Sequence, residues 1–218
     1  TEKAIQERVD FVLLAGDLFE KRAVEPLAMR VAVAGLEMLR DADIPVVAVE
    51  GNHERAFYQE QTSWMDFLDA LGYLTLLSPQ FEGGAAHLTA HSPEGGAYVD
   101  LPGGVRIYGL KYYGTSTNKA VQSLAAALAD QDHSDVAYTI VMLHAGLEGQ
   151  LAHMGRLSYG AVAQLRPFAD YIALGHIHKP YVVDDWIYNP GSPETCSMVE
   201  TRWPTRGYLL VDVDPHNT

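Results

Sequence analysis

Tyr171-Ile172-Ala173-Leu174-Gly175-His176-Ile177-His178 is the stretch on which the reading of this chain turns. An apolar run of strand length stops at a glycine and then presents two histidines two residues apart. Side chains two apart on an extended segment point the same way, so one ion or an ion pair can take both imidazoles. Histidine is the commonest protein metal ligand, and the turn after a buried strand is where such groups are exposed. Taken alone, the pattern reads equally well as a strand-end turn that happens to hold two histidines. Three other strand ends shift the balance.

Val136–Leu143 ends at His144-Ala145-Gly146. Val46–Val49, opened by Pro45, runs into Gly51-Asn52-His53-Glu54, and Val9–Ala15 runs into Gly16-Asp17-Leu18-Phe19-Glu20. Each is dominated by apolar residues, continuous over Phe11–Ala15 and Val46–Val49, the mark of a strand buried on both faces. In open α/β sheets the carboxyl ends of the strands gather at one edge. Asp17, Asn52, His53, His144, His176 and His178 are therefore expected to converge. One carboxylate can bridge two ions, while imidazoles and an amide oxygen fill the remaining positions. Mixed nitrogen and oxygen ligands without thiolate suit manganese, iron or zinc better than calcium or a structural zinc. Two such ions, roughly 3.5–4 Å apart, can hold a hydroxide and clamp a phosphoryl group for in-line attack.

Helical patterns separate these strands. Val24–Ala42 carries Leu27, Val31, Ala34 and Met38 at amphipathic spacing, and Phe57–Leu71 is closed by Gly72. Asn118–Ala129 and Tyr159–Leu165 read likewise, and Thr1–Arg8 reads as the last turns of a helix. The alternation implies parallel strands with right-handed crossovers. Between Tyr73 and Leu110 the texture changes. Short runs (Leu74–Leu77, His87–His91, Ala97–Leu101, Val105–Leu110) are broken by Gly83-Gly84, Gly95-Gly96 and Pro102-Gly103-Gly104, the punctuation of hairpins. Tyr181–Val183, Trp186–Tyr188 and Gly207–Val213 are of the same type. No repeat or linker divides residues 1–218, so one domain is expected.

With 48% hydrophobic and 20% charged residues among 218, the chain can bury a substantial core. Its formal charge of −13 excludes coating nucleic acid through bulk electrostatics. A polyanionic substrate would need local cations, and Lys21, Arg22, Arg55 and Lys179 stand just beyond the strand-end motifs. Cys196 is the sole cysteine, which excludes an internal disulfide and fits a reducing compartment. No stretch approaches the roughly 20 apolar residues of a membrane span, so no membrane contact is expected, and the lone cysteine makes a cytoplasmic setting the expectation. His87, His91, His133, His153 and His216 match no strand end and read as surface or hydrogen-bonded residues. Tyr112 and Tyr113 read as packing or rim aromatics.

Gly16-Asp17, Gly51-Asn52-His53, His144 and Gly175-His176-Ile177-His178 resemble four of the five motifs of the calcineurin-like metallophosphoesterases. They come in the family's order, with 35 residues from Asp17 to Asn52 and 32 from His144 to His176. Gly16-Asp17-Leu18-Phe19, Leu143-His144-Ala145-Gly146, Asp170 to His178, and Tyr188-Asn189-Pro190-Gly191-Ser192-Pro193-Glu194 look like the SbcD-type DNA repair nucleases. The resemblance implies a four-layer αββα sandwich of two mixed β-sheets. It implies that Asp17 bridges two ions, that Asn52, His144 and His176 complete the second, and that His178 binds the first. His53 would be the unligated general acid or transition-state stabiliser, with Glu20 in the position that orients it.

The implied cofactors are two divalent ions, manganese first and iron or zinc as alternatives. The implied activity is a DNA exo- or endonuclease, with DNA and a coiled-coil SMC-type ATPase subunit (SbcC-like) as partners and a homodimer allowed. Two departures stand out. The family's Asp-x-His strand does not precede Asp17, so an N-terminal truncation is expected, with an incomplete first metal site and one ion or none more common than two. Glu54 stands where Asp usually follows Gly-Asn-His. A small-molecule or cyclic-nucleotide phosphodiesterase or phosphatase is the competing reading, and a non-catalytic scaffold for nucleic acid or an ATPase is the third.

Overall fold

The computed structural model describes residues 1–57, 60, 62–150 and 157–213. Helix α1 (Glu2–Glu7) ends where Arg8 turns left-handed, and strand β1 (Val12–Leu14) comes next. Helix α2 (Pro26–Asp41) opens on a proline, whose missing N–H has no partner in a first turn anyway. Strand β2 (Val46–Ala48) leads to helix α3 (Trp64–Ala70). This helix is shorter than the sequence pattern predicts because Ser63 and Asp66 form a reciprocal cap, each side chain bonding the other's backbone N–H. The part of the expected helix at 58, 59 and 61 lies outside the described residues. Gly72 closes α3 as expected, at φ 70°.

Strands β3 (Thr75–Leu76), β4 (Gln80–Glu82), β5 (Ala85–His87), β6 (Tyr98–Leu101) and β7 (Val105–Leu110) are next in order. Then come α4 (Thr117–Ala129), β8 (Tyr138–Leu143), a short α5 (Tyr159–Val162) continued by a 3-10 turn, and β9 (Tyr171–Leu174). The chain finishes with β10 (Tyr181–Val183), β11 (Ile187–Asn189) and a 3-10 turn at Met198–Arg202. Gly207–Val213, expected as a strand, forms no ladder with a described strand. Its Leu209–Val213 portion instead lines a shallow surface cavity with Tyr138, Tyr171 and Tyr188.

The strands make two main sheets. The smaller is parallel, in order β1-β2-β3, and the larger is mixed, in order β10-β11-β9-β8-β7-β6. In the larger, β7, β8, β9 and β11 run parallel, while β6 and β10 are antiparallel edges. β4 and β5 form a separate hairpin around Gly83-Gly84. Because side chains alternate along a strand, each central strand feeds two cores. From β8, Ile140 and Met142 pack between the sheets with Val47, Val49 and Leu77. Val141 and Leu143 of the same strand face outward under Leu124 and Leu128 of α4. On the far side, Val46 and Ala48 lie beneath Leu36, Leu39, Met65 and Leu68 of α2 and α3. Three cores in succession define the expected four layers, helix–sheet–sheet–helix.

The buried face of α2 is not the one the spacing favours. Leu27, Val31 and Met38 are exposed, whereas Met29, Ala32, Val33, Leu36 and Leu39 meet the sheet. The helix carries two apolar stripes. The inward one recurs at 29, 32, 33, 36 and 39, closer to the full width of a core-facing face.

Candidate metal centre

The fold brings the carboxyl ends of β1, β2, β8 and β9 together, and four of the expected residues meet there. His144 Nδ1 donates to the Ala15 carbonyl oxygen at 2.6 Å. A carbonyl only accepts, so a proton sits on Nδ1, and in the neutral ring Nε2 presents a lone pair. That Nε2 lies 3.1 Å from Asn52 Oδ1 and 3.2 Å from Asp17 Oδ2. His176 Nδ1 approaches the same amide oxygen at 2.8 Å. Asp17, His144 and His176 each aim a ligand atom into a space where all lie within 4.8 Å of one another.

Such closeness is built into the loops. A Cβ at Gly51 would stand 2.1 Å from Asp17 Oδ1, and one at Gly16 would stand 2.3 Å from His144 Nδ1. Only glycine lets these chains approach so nearly. Asp17 and His176 themselves sit in the left-handed region, at φ 57° and 78°. For residues with a Cβ this conformation is strained, at a cost of order 1–3 kcal/mol, and it turns each side chain out of its strand's direction.

Glu54 explains how the first two loops are locked. Its buried carboxylate accepts from the backbone N–H groups of Gly51 at 2.9 Å, Asp17 at 3.0 Å and Phe19 at 3.1 Å. Burial pushes its carboxyl up, and the N–H groups of Gly51 and Phe19 work against that rise. The signal is present in the sequence: an acid three residues after Gly51 can reach back to that N–H, as in a helix capping box. Burial acts to raise the Asp17 carboxyl, but its close contact with the His144 ring and the His53 N–H outweigh it, and the net direction is downward. Burial, then the neighbouring His144, lowers His176 to about 4, so its ring is neutral near pH 7.

His53 stands beside this group and is not part of it. Its backbone N–H donates to Asp17 Oδ1 at 3.0 Å, and its ring Nδ1 bonds the backbone carbonyl of Glu20. The orienting group is thus the Glu20 main chain and not its carboxylate, which corrects the role expected of that side chain. The Glu20 residue is exposed, and its carbonyl is what faces the ring. His178 is also set apart: its Nδ1 faces the Glu200 carboxylate at 3.0 Å. The backbone around His178 is held by Asn189, whose Nδ2 donates to the Ile177 and Lys179 carbonyls at 2.7 and 2.8 Å. The Ser192 N–H donates to the His178 carbonyl at 3.1 Å. That is the local purpose of the Tyr188 to Glu194 motif.

Lys21, Arg22 and Arg55 are exposed and Lys179 is half-buried, and none forms an ion pair among the described residues. The two tyrosines divide. Tyr113 packs edge-on against Phe81, while the Tyr112 ring lies 5.3 Å from that of His176 and 5.9 Å from that of His144, forming a wall of the site. His91 bonds Asp69 and His133 bonds the Leu128 carbonyl, as their mismatch with any strand end predicts. His87 lies 3.8 Å from the Glu82 carboxylate, and His153 and His216 lie outside the described residues. Glu200 escapes sequence reasoning because nothing in its local sequence marks it.

Residues 1–180 match the family model for calcineurin-like phosphoesterases. Among curated relatives, the DNA double-strand break repair protein Mre11 of Archaeoglobus fulgidus is 28% identical over 214 residues, 91% of this chain and 44% of that protein. Mre11 of Haloferax volcanii is 30% identical over 97% of this chain and 42% of its own length. The uncharacterized metallophosphoesterase YhaO of Bacillus subtilis is 27% identical over 97% and 47%. The chain thus spans less than half the length of these relatives. The crystal structure of the calcineurin-like phosphoesterase YfkN from Bacillus subtilis superposes with a TM-score of 0.52 at 15% identity, over 87% of this chain and 71% of that one, a likeness of fold. The chain belongs to the calcineurin-like phosphoesterase family, whose members are divalent-metal-dependent phosphoester hydrolases.

Proposed function

We propose that this chain is a manganese-dependent phosphodiesterase that cuts DNA as a repair exo- or endonuclease of the SbcD type, working with a coiled-coil ATPase subunit in the cytoplasm. One observation carries the reading. The His144 Nε2 lone pair faces the Asp17 carboxylate and the Asn52 amide oxygen, acceptor against acceptors, with His176 Nδ1 against the same amide. A cation resolves that arrangement, and the nitrogen and oxygen donors suit a first-row divalent metal. Asp17, Asn52, His144 and His176 would hold one ion, and His178, together with Asp17, would serve a second. Held by these residues, a divalent ion would supply Lewis-acid polarisation of a phosphoryl oxygen and activation of a water at neutral pH.

The chain's own residues do the rest. His53 is tied to Asp17 through its backbone and to the Glu20 carbonyl through Nδ1–H. In the protonated ring it is Nε2–H that is left to pass its proton to a departing oxygen, which returns the ring to the neutral Nδ1–H form. Tyr112 walls the histidine pair. Lys21, Arg22, Arg55 and Lys179 supply the local positive rim that a DNA strand needs on a chain of charge −13. The Mre11 relatives support DNA as the substrate. The competing reading, a phosphodiesterase or phosphatase of small molecules, keeps the same centre without the rim.

The test separates ligand from acid. In a version extended upstream to restore the Asp-x-His strand, Asp17→Ala is expected to abolish manganese binding and hydrolysis together. His53→Ala is expected to keep the ion and lower turnover by roughly 10²–10⁴, the usual worth of a positioned proton donor. Loss of manganese in His53→Ala would merge the roles of ligand and acid. If the extended version hydrolyses neither DNA nor bis-p-nitrophenyl phosphate with manganese, iron or zinc, the scaffold reading replaces the enzyme.

A further inference from the structure

Glu200 is a buried carboxylate 22 residues beyond His178, and four groups converge on it. The Cys196 N–H donates to Oε2 at 3.0 Å and the Ser197 hydroxyl to Oε1 at 3.1 Å. The Arg206 guanidinium lies 3.5 Å from Oε2 and also donates to the Glu200 and Glu194 carbonyls at 2.7 Å. The fourth is His178 Nδ1, at 3.0 Å from Oε1. A buried carboxylate beside an arginine is ionised and can only accept. Its hydrogen bond to His178 is therefore made by Nδ1–H, and in the neutral ring the lone pair falls on Nε2. With the other contacts filled by Cys196, Ser197 and Arg206, the carboxylate cannot swing away from the imidazole.

We infer that Glu200 is a positioning residue, which fixes the His178 ring in the Nδ1–H tautomer and so presents Nε2 to a divalent cation. The inference rests on the proposed reading of His178 as a ligand. A carboxylate behind a metal-binding histidine is a recurrent arrangement, and its removal costs typically 10–100-fold in metal affinity. His178 and His176 both lie just beyond β9 with only Ile177 between them, so one loop carries both histidines. Cys196 is close enough to His178 and Glu200 to make a ligand set. Arg206 argues against a cation between them, because it already neutralises Glu200.

The experiment reads tautomer and affinity separately. In metal-free protein labelled with 15N-histidine, two-bond 1H–15N correlations report which ring nitrogen of His178 carries the proton. The native chain is expected to show Nδ1–H, and Glu200→Ala to shift His178 towards Nε2–H, the form favoured in a free imidazole. Manganese titration followed by electron paramagnetic resonance is expected to show a 10–100-fold weaker site in Glu200→Ala, with Glu200→Gln in between, since its amide oxygen can still accept. A His178 tautomer unchanged by Glu200→Ala overturns the inference. A changed tautomer with unchanged manganese affinity keeps Glu200 as a positioning residue and removes His178 from the ligands. Should Glu200→Ala fail to fold, Glu200→Gln carries the test, and an unchanged tautomer together with unchanged affinity overturns the inference there.

Discussion

The two sheets supply one site, but they are finished differently. In the large sheet every residue of Tyr138–Leu143 and Tyr171–Leu174 is buried, with a strand on each side and a packed core on each face. In the small sheet Val12–Leu14 is only half-buried at all three positions, because β2 is its one partner among the described residues. Yet Phe11-Val12-Leu13-Leu14-Ala15 is as apolar as either. An apolar run reports the demand for burial on two faces; the ladder decides whether the demand is met. The small sheet nonetheless delivers Asp17 and Asn52, and the large one His144 and His176, so the centre depends on a well-buried half and a less-buried half holding register.

The largest expected effect sets the two halves against each other. Ile140→Ala, in the middle of β8, is expected to cost about 4 kcal/mol of stability through lost transfer and an unfilled cavity. Leu13→Ala in β1 is expected to cost about half as much or less, since that side chain is only partly withdrawn from water in the folded state. Urea unfolding with chelator present would measure both. Equal losses would mean that β1 is covered in solution by a further strand or a second copy, and the contrast between the sheets would dissolve.

The next test concerns acid. His176 titrates at about 4 when folded, against 6.5 for an unperturbed histidine, because burial and His144 disfavour its charge. Between those values the unfolded chain carries a proton on this ring and the folded chain does not. Stability from His176 is therefore complete above pH 6.5 and is lost as pH falls towards 4, up to about 3 kcal/mol. In metal-free protein, unfolding at pH 7.5 and at pH 4.5 should show that loss in the native chain and a smaller one in His176→Gln. A native chain no more acid-sensitive than the variant would place His176 in contact with water.

Much of the centre was legible because its parts are strand ends. The sequence marks where Leu143 and Leu174 stop, and the sheet then gathers His144 and His176 just beyond them. The four-layer order was legible for the same reason, since buried parallel strands alternating with helices need a helix layer outside each sheet. Three things were not. The inward face of α2 could not be chosen from Leu27 and Val31, because a second apolar stripe competes with theirs. The partner of His53 is a main-chain carbonyl, and any residue at position 20 would supply one. Glu200 meets His178 only through the loop that Asn189 and Arg206 tie down, a contact that no periodicity announces.

The smallest expected effect probes the rim, where the halves again differ. Arg55 comes after Glu54 on the small-sheet loop, and Lys179 after His178 on the large-sheet loop, so the two would hold a strand from opposite sides. A DNA-cutting centre must grip phosphates that flank the scissile one, and on a chain of charge −13 only local cations can do it. Each phosphate contact removed by Arg55→Ala or Lys179→Ala should flatten the salt dependence of DNA binding by about one unit of log–log slope. Hydrolysis of bis-p-nitrophenyl phosphate should barely change, because that ester has no flanking phosphates. A change in slope for Lys179→Ala alone would put the DNA path along the large sheet. Equal losses on DNA and on the small ester would mean that the two residues serve the reacting group itself. If neither substitution alters binding or cleavage, these are solvated loop charges, and the small-molecule phosphodiesterase becomes the better account of the same metal centre.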